Sequence, residues 1–267
     1  MEFPIVNIFT EDKVQLYGLY IKPQTSNSIF INIHGTASNF YEEDFIKYLT
    51  EDFMENNISM LSTNNRGTGV YDCYAKTGSA VEKFEDCIKD IDAWIEFAIK
   101  QKYKNKVNGI ILLAPADSYA SHRQLNGKPN NRLGAINKLI SKSKQLISNN
   151  LGDVFLPRNA YGPRHGGIMP KSAESYINFL GDKSEVLKAL PFATKKLDNY
   201  SKIKIPIFVA IGDGDEYTSL KTDEALDLLK TENKLTETHK LKNCNHDFEG
   251  KETELSSLIN KFILSLT

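Results

Sequence analysis

The chain has 267 residues, of which 40% are hydrophobic and 25% are charged. These are the proportions of a folded globular protein, and they exclude disordered and fibrous classes. The 33 basic and 34 acidic residues nearly balance. Net charge therefore gives no reason to expect nucleic acid or an anionic membrane as a partner, and favours a small or neutral ligand. The length suits one α/β core with an insertion.

The cysteines and the N-terminal segment indicate a reducing compartment. Cys73, Cys87 and Cys244 are odd in number and form no CxxC pair, which fits neither a disulfide framework nor a zinc site. The N-terminus lacks the basic region and apolar run of a signal peptide. No apolar stretch reaches the roughly 18 residues of a membrane span. We therefore expect a cytoplasmic protein with no metal or other cofactor; the oligomeric state stays open.

The first half of the chain predicts strands and helices in alternation. Residues 6–21 alternate apolar and polar side chains, which predicts an antiparallel hairpin. Residues 28–33 form a short, nearly unbroken apolar run before His34-Gly35, as in a strand of a parallel sheet that is buried on both faces. A helix over about residues 41–56, a strand over 58–62 and an amphipathic helix over 81–100 follow.

The second half repeats this rhythm around a long insertion. Residues 107–114 and 205–211 are buried apolar runs, separated by a polar segment with helical patches at 136–147 and 172–180. The chain then predicts a helix over 220–230, a strand over 236–241 and a helix over 252–266. Such alternation favours one mostly parallel sheet flanked by helices. We predict a core of residues 1–117 and 201–267 with a lid of residues 118–200.

Several strings in this order resemble landmarks of the α/β-hydrolase superfamily, especially its esterase-like and serine-aminopeptidase-like branch. The strings are INIHGTASNF, NNRGTG, VNGIILLAPADS, IGDGDEYTS and NCNHDFEGKE, and together they extend over nearly the whole chain. The resemblance implies the fold of that family and hydrolysis of small acyl substrates by a Ser-His-Asp triad.

The resemblance assigns the acid and the base of the triad. Asp215 follows a late strand in GDGDEYT, with Asp213 as its neighbour, and His246 begins the loop before the last helix. One helix and one strand fit between them, which brings both side chains to one edge of a sheet. We predict that Asp215 and His246 lie within hydrogen-bond reach, where the carboxylate holds the imidazole in one tautomer.

The nucleophile of the triad is missing. The family places its serine in Gly-x-Ser-x-Gly on a sharp turn after a central strand, and no such motif occurs in this sequence. The predicted helix that ends near Lys100 runs almost directly into the strand VNGIILLA, as if the nucleophile strand, its turn and its helix were deleted. Thr36, after His34-Gly35, would supply one oxyanion donor, but the donor that follows the nucleophile is absent too.

Several residues could substitute for the serine, and none fits the pattern well. Ser38 lies in the expected oxyanion loop, Cys73 follows NNRGTG, and Ser118 follows the IILLAPAD run, although Asp117 and Ser118 can simply begin the lid. If the sheet closes over the deletion, the strand GIILLA would pair beside SIFINI. Otherwise the chain would fold poorly, because the strands that flank the gap lose a partner.

Four interpretations of function remain open. The chain is an esterase-like or amide-cleaving hydrolase, a non-hydrolytic enzyme that uses Asp215 and His246 as a general base, or a small-molecule-binding pseudoenzyme. In the fourth interpretation, the deletion belongs to this copy of the gene, and a parent protein carried the serine. Labelling by a serine-reactive fluorophosphonate would separate the first interpretation from the others.

Overall fold

The computed structural model describes residues 4–35, 38–68, 80–115, 124–125, 128–129, 133–156 and 171–266. The strands are β1 (Ile5–Phe9), β2 (Gln15–Ile21), β3 (Ser28–Ile33), β4 (Ile58–Thr63), β5 (Ile110–Leu113), β6 (Gln124–Leu125), β7 (Lys128–Pro129), β8 (Ile207–Gly212) and β9 (Thr236–Leu241). The α-helices are α1 (Phe45–Glu55), α2 (Cys87–Lys100), α3 (Leu133–Ser148), α4 (Ala173–Leu180), α5 (Val186–Ala189), α6 (Thr222–Glu232) and α7 (Glu252–Ser265). Short 3-10 turns cover Phe84–Asp86, Phe192–Thr194 and Tyr200–Lys202.

The chain divides into two compact units, each with its own sheet. The first unit is Met1–Lys106 with Glu252–Lys261, and the second is Val107–Lys251 with Phe262–Thr267. None of the helices in the described part of the chain is long and apolar enough to cross a membrane.

The first unit contains a four-stranded sheet in the order β1-β2-β4-β3. The predicted hairpin forms: β1 pairs antiparallel with β2, and β2 continues antiparallel to β4. β3 and β4 run parallel, joined by α1. Every residue of β4 is buried, and β4 lies between β2 and β3 in the sheet. On one face Trp94 of α2 packs with Leu16 and Leu61.

A buried group of charges ties the turns of the first unit to α2. The Arg66 guanidinium makes paired hydrogen bonds with the Asp90 carboxylate, which is fully buried, and with Asp12 in the β1–β2 turn. The backbone N–H of Arg66 also donates to Asp90. Two-pronged arginine–carboxylate pairs are the geometry in which a buried ion pair holds its place. The guanidinium bonds outweigh burial and hold the pKa of Asp12 well below its usual range.

The second unit contains a three-stranded parallel sheet in the order β5-β8-β9. Each residue of the central strand β8 is buried, and α6 packs its Ala225, Leu226 and Leu229 into the same apolar core. α6 links β8 to the parallel strand β9, so that β8 and β9 end at the same edge of the sheet. This edge carries the loops in which the sequence places the acid and the base.

The two helical patches predicted in the insertion are present as α3 and α4. They pack against each other through an apolar cluster that includes Ile136, Leu139, Tyr176 and Leu180. The Ser172 hydroxyl caps α4 by accepting from the Ser175 N–H. The insertion therefore has a local core of its own, while its role as a lid stays a prediction.

The expectation that the sheet closes over the deletion, with β5 beside β3, is wrong. In the described residues β3 pairs with β4 and β5 pairs with β8, each at the end of its own sheet. Within the described residues, β4 and β8 hydrogen-bond to one backbone edge of β3 and β5 respectively, and no strand pairs with the other edge. Their sequences, SIFINI and IILL, are the nearly or fully apolar runs that usually occupy the interior of a parallel sheet.

Candidate active site

Asp215 and His246 form a hydrogen-bonded pair in the second unit. His246 Nδ1 lies 2.9 Å from Asp215 Oδ2. Because a carboxylate only accepts, Nδ1 carries the proton and donates it, which leaves Nε2 as the basic nitrogen of the neutral ring. The contact that the sequence predicts is thus present, and it is made by Asp215 rather than by Asp213. The catalytic role of the pair stays a prediction.

The pair can form because two loops approach each other unusually closely. A Cβ added to Gly212, at the end of β8, would lie 2.3 Å from the Cys244 carbonyl oxygen, and one added to Gly214 would lie 3.1 Å from it. The Gly214 N–H donates to this carbonyl at 2.9 Å. The glycines of GDGD therefore allow the loop that follows β8 to rest directly on the backbone before His246.

The Asp215 carboxylate is fixed on both of its oxygens. Only 1% of Asp215 is exposed. Oδ1 accepts from the backbone N–H groups of Tyr217 (2.8 Å) and Thr218 (3.1 Å), and Oδ2 faces His246. With hydrogen bonds on both oxygens, the carboxylate keeps one orientation. α6 begins only at Thr222, so Asp215 does not cap that helix.

Asp213 hydrogen-bonds to the backbone of the histidine loop and not to His246. Its Oδ1 accepts from the Cys244 N–H at 3.2 Å, which braces the histidine loop against the loop that follows β8. After His246 the backbone turns back at Phe248, which is buried and adopts a left-handed conformation with φ 59°. Bulky residues rarely adopt this conformation, so packing of the side chain must hold it. The His246 loop is thus anchored before and after the imidazole.

His246 is a base with a raised affinity for a proton. Burial alone lowers its pKa, but the hydrogen bond and charge of Asp215, with smaller contributions from Asp247 and Glu216, outweigh burial and raise the pKa above the usual histidine value. The side chain is 28% exposed, and Nε2 has no hydrogen-bond partner among the described residues. The pair can therefore accept a proton at Nε2 from a bound molecule or from water.

Tyr217 is the residue at this site that the sequence does not single out. Its ring centroid lies 4.5 Å from that of His246, with 65° between the ring planes. Its position in the string GDGDEYT, two residues after the acid, is the only signal in the sequence. That signal is weak, because a loop tyrosine contacts nothing predictable until the fold brings another loop beside it.

Both ring nitrogens of His34, in the first unit, hydrogen-bond to backbone groups of nearby turns. Its Nε2 accepts from the Asn65 N–H at 3.1 Å, so the ring proton sits on Nδ1, which lies 2.7 Å from the Gly35 carbonyl oxygen. Burial is the main reason that the pKa of His34 is lowered, which keeps the ring neutral. His34 thereby joins the turn after β3 to the turn after β4. This does not test the oxyanion role assigned to the loop, because Thr36 lies outside the described residues.

The candidate substitute nucleophiles are only partly described. The Ser38 hydroxyl donates to Glu43 Oε1 at 2.6 Å, a local contact before α1. Cys73 and Ser118, as well as Asp117, lie outside the described residues. No group of three or more histidine, cysteine or acidic side chains suited to a metal ion occurs within the described ranges.

Comparison with known proteins gives the fold. No protein-family model matches the chain, and no curated protein matches it in sequence. Solved structures match over nearly the whole chain. The monoacylglycerol lipase of Paleococcus ferrophilus is 15% identical, with a TM-score of 0.62 and coverage of 95% of this chain and 100% of the lipase.

Two further structures extend this likeness. The esterase domain of a Rhodothermus marinus protein is 12% identical, with a TM-score of 0.58 and coverage of 98% of both chains. The α/β hydrolase GrgF from a Penicillium species is 14% identical, with a TM-score of 0.59, and the match covers 98% of this chain and 96% of GrgF. This chain therefore has the α/β-hydrolase fold, as its sequence landmarks imply, and its structural neighbours include esterases and lipases.

Proposed function

We propose that this protein is a relative of esterases and amide hydrolases that act on small acyl substrates, and that it has little or no serine-hydrolase activity of its own. The observation that supports the proposal most directly is the Asp215–His246 hydrogen bond of 2.9 Å in a sequence without Gly-x-Ser-x-Gly. The acid and the base persist, while the residue that they normally activate is missing.

The strand pairing supports the loss of a whole structural unit. The family's nucleophile strand is flanked by the counterparts of β3 and β5, and here each of these strands ends its own sheet in the described residues. The loss of one strand would explain why β3 and β5 each lie at the edge of a sheet. A point substitution of the serine would leave the strand order intact. Loss of the unit also removes one oxyanion donor, the N–H after the nucleophile.

The magnitude of the expected loss is large. Removal of the nucleophile from a serine protease costs about 10⁶ in kcat and leaves roughly 10³ to 10⁴ over water, supplied by the oxyanion hole and binding. Here part of the oxyanion hole is absent as well. Turnover of p-nitrophenyl acetate and butyrate should therefore be slow, and equally slow in His246→Ala and in the matched variant His239→Ala, whose histidine lies on β9.

A robust rate that His246→Ala abolishes and His239→Ala preserves would contradict the proposal. It would return the search for a nucleophile to Ser38, Ser118 and Cys73. Labelling by a fluorophosphonate probe, located by peptide mass spectrometry, would then identify the residue. Sequencing the source gene across the codons for Lys100 to Val107 would show whether the gene itself lacks the unit.

A second candidate function is general-base catalysis without a nucleophile. It is favoured by the unpartnered Nε2 of His246 among the described residues and by the raised pKa of this side chain. Such an enzyme would depend on His246 but would not react with the fluorophosphonate. A binding protein would neither react with the probe nor require His246. The probe and His246→Ala together therefore distinguish a serine hydrolase, a general-base enzyme and a binding protein.

A further inference from the structure

Tyr217 contacts both members of the acid–base pair. Its backbone N–H donates to Asp215 Oδ1 at 2.8 Å, and its ring lies against the His246 imidazole with 4.5 Å between centroids. The side chain is partly buried. A single residue thus bridges the buried carboxylate and the more exposed imidazole.

The His246 ring needs a second support. One hydrogen bond at Nδ1 fixes a distance, but it leaves the imidazole free to tilt about the Nδ1–Oδ2 axis. More than a quarter of this side chain is exposed, so water can compete for Nδ1 whenever the ring tilts. An aromatic ring packed at a steep angle beside the imidazole restricts the tilt and covers the bond from one side.

We propose that Tyr217 is a positioning residue for His246. Its ring holds the imidazole on Asp215, and Nε2 remains directed to whatever molecule the site binds. The ring rather than the hydroxyl performs this task, because the observed contact is between the two rings. The inference rests on the proposed function only in taking His246 as the working base of the site.

The size of the effect follows from the type of contact. Aromatic pairs contribute an amount equivalent to about 2- to 10-fold in an equilibrium constant beyond the area that they bury. Loss of the ring should therefore increase the population in which the Nδ1–H bond to Asp215 is open by about the same factor. The backbone N–H bond from residue 217 to the carboxylate is retained in every variant.

The test follows the Nδ1 proton of His246 by NMR in protein labelled with ¹⁵N-histidine. Asp215→Asn assigns the resonance. We expect Tyr217→Leu to speed exchange of this proton with water about 2- to 10-fold, and Tyr217→Phe to stay within about twofold of the wild type. Tyr217→Met, a second ringless variant with flexible apolar bulk, should behave as Tyr217→Leu does. Amide spectra outside the two loops verify folding.

Unchanged exchange in a folded ringless variant would overturn the inference. So would equal acceleration in Tyr217→Phe, since the ring would then be irrelevant, or a wild-type Nδ1 proton with no protection. A purely structural tyrosine would change stability without this difference between phenylalanine and leucine. Because the measurement uses no substrate, the inference survives or fails independently of whether the protein hydrolyses esters.

Discussion

Gly212→Ala should separate the acid loop from the histidine loop. The added methyl group would lie 2.3 Å from the Cys244 carbonyl oxygen and 2.7 Å from the Asn245 carbonyl oxygen. Both obstacles are backbone atoms, so no side chain can rotate away. Ordinary contact begins at 3.4 Å, and the loops must therefore move apart by about 1 Å. The same displacement would stretch the 2.9 Å Asp215–His246 contact beyond hydrogen-bond range.

The expected cost has two parts. Overpacking against rigid neighbours costs about 1–3 kcal/mol. Weakening the bond from the Gly214 N–H to Cys244 adds about 1 kcal/mol. We expect urea unfolding to show a loss of about 2–4 kcal/mol. The NMR titration should show a lower pKa for His246, since Asp215 no longer compensates for the burial of the ring.

Gly134→Ala is the matched control, because an added Cβ there meets nothing within 4 Å. It lies in α3 and should neither destabilise the protein nor change the titration of His246. Unfolding and His246 titration in Gly212→Ala that both match the wild type would refute the close approach of the two loops. A loss of stability with an unchanged His246 pKa would refute the link between this approach and the pair.

Two further predictions concern charged groups. Arg66→Met leaves the Asp90 carboxylate buried without its partner and should cost about 3–5 kcal/mol in urea unfolding at neutral pH. Asp215→Asn should lower stability more in mildly acidic than in alkaline buffer. A raised pKa stabilises the folded protein below the usual histidine value, and this contribution is lost as pH rises through the folded-state pKa of His246.

Each of these predictions has its control. Lys196→Met removes an exposed ion pair with Asp198 and should leave unfolding essentially unchanged, so an equal effect of Arg66→Met would contradict the importance of burial. For Asp215→Asn, the opposite pH trend would mean that the carboxylate does not raise the pKa of His246. In alkaline buffer the neutral imidazole can accept from the introduced amide, which keeps the difference small there.

The sequence predicted most of the secondary structure. β9 covers the predicted residues, and the hairpin, the strands and the amphipathic helices are present, although α2 begins six residues later than predicted, at Cys87. The burial predicted for β3 is wrong in part, because most of its residues are only half-buried and Ile33 is exposed. α1, for example, begins at Phe45 rather than near residue 41, because the Asn39 side chain accepts from the Tyr41 and Glu42 N–H groups in a turn before it. Apolar periodicity specifies the interior of an element, whereas its ends depend on such local polar contacts.

The sequence by itself determined the α/β alternation, the two loops that hold Asp215 and His246, and the absence of a Gly-x-Ser-x-Gly motif. These are properties of residue type, period and spacing. Only the tertiary structure decided that β3 pairs with β4 and β5 with β8, that Gly212 lets one loop rest on another, and that Tyr217 lies beside the imidazole. Those three features depend on contacts between segments far apart in the chain, and a local pattern carries no information about the distance between them.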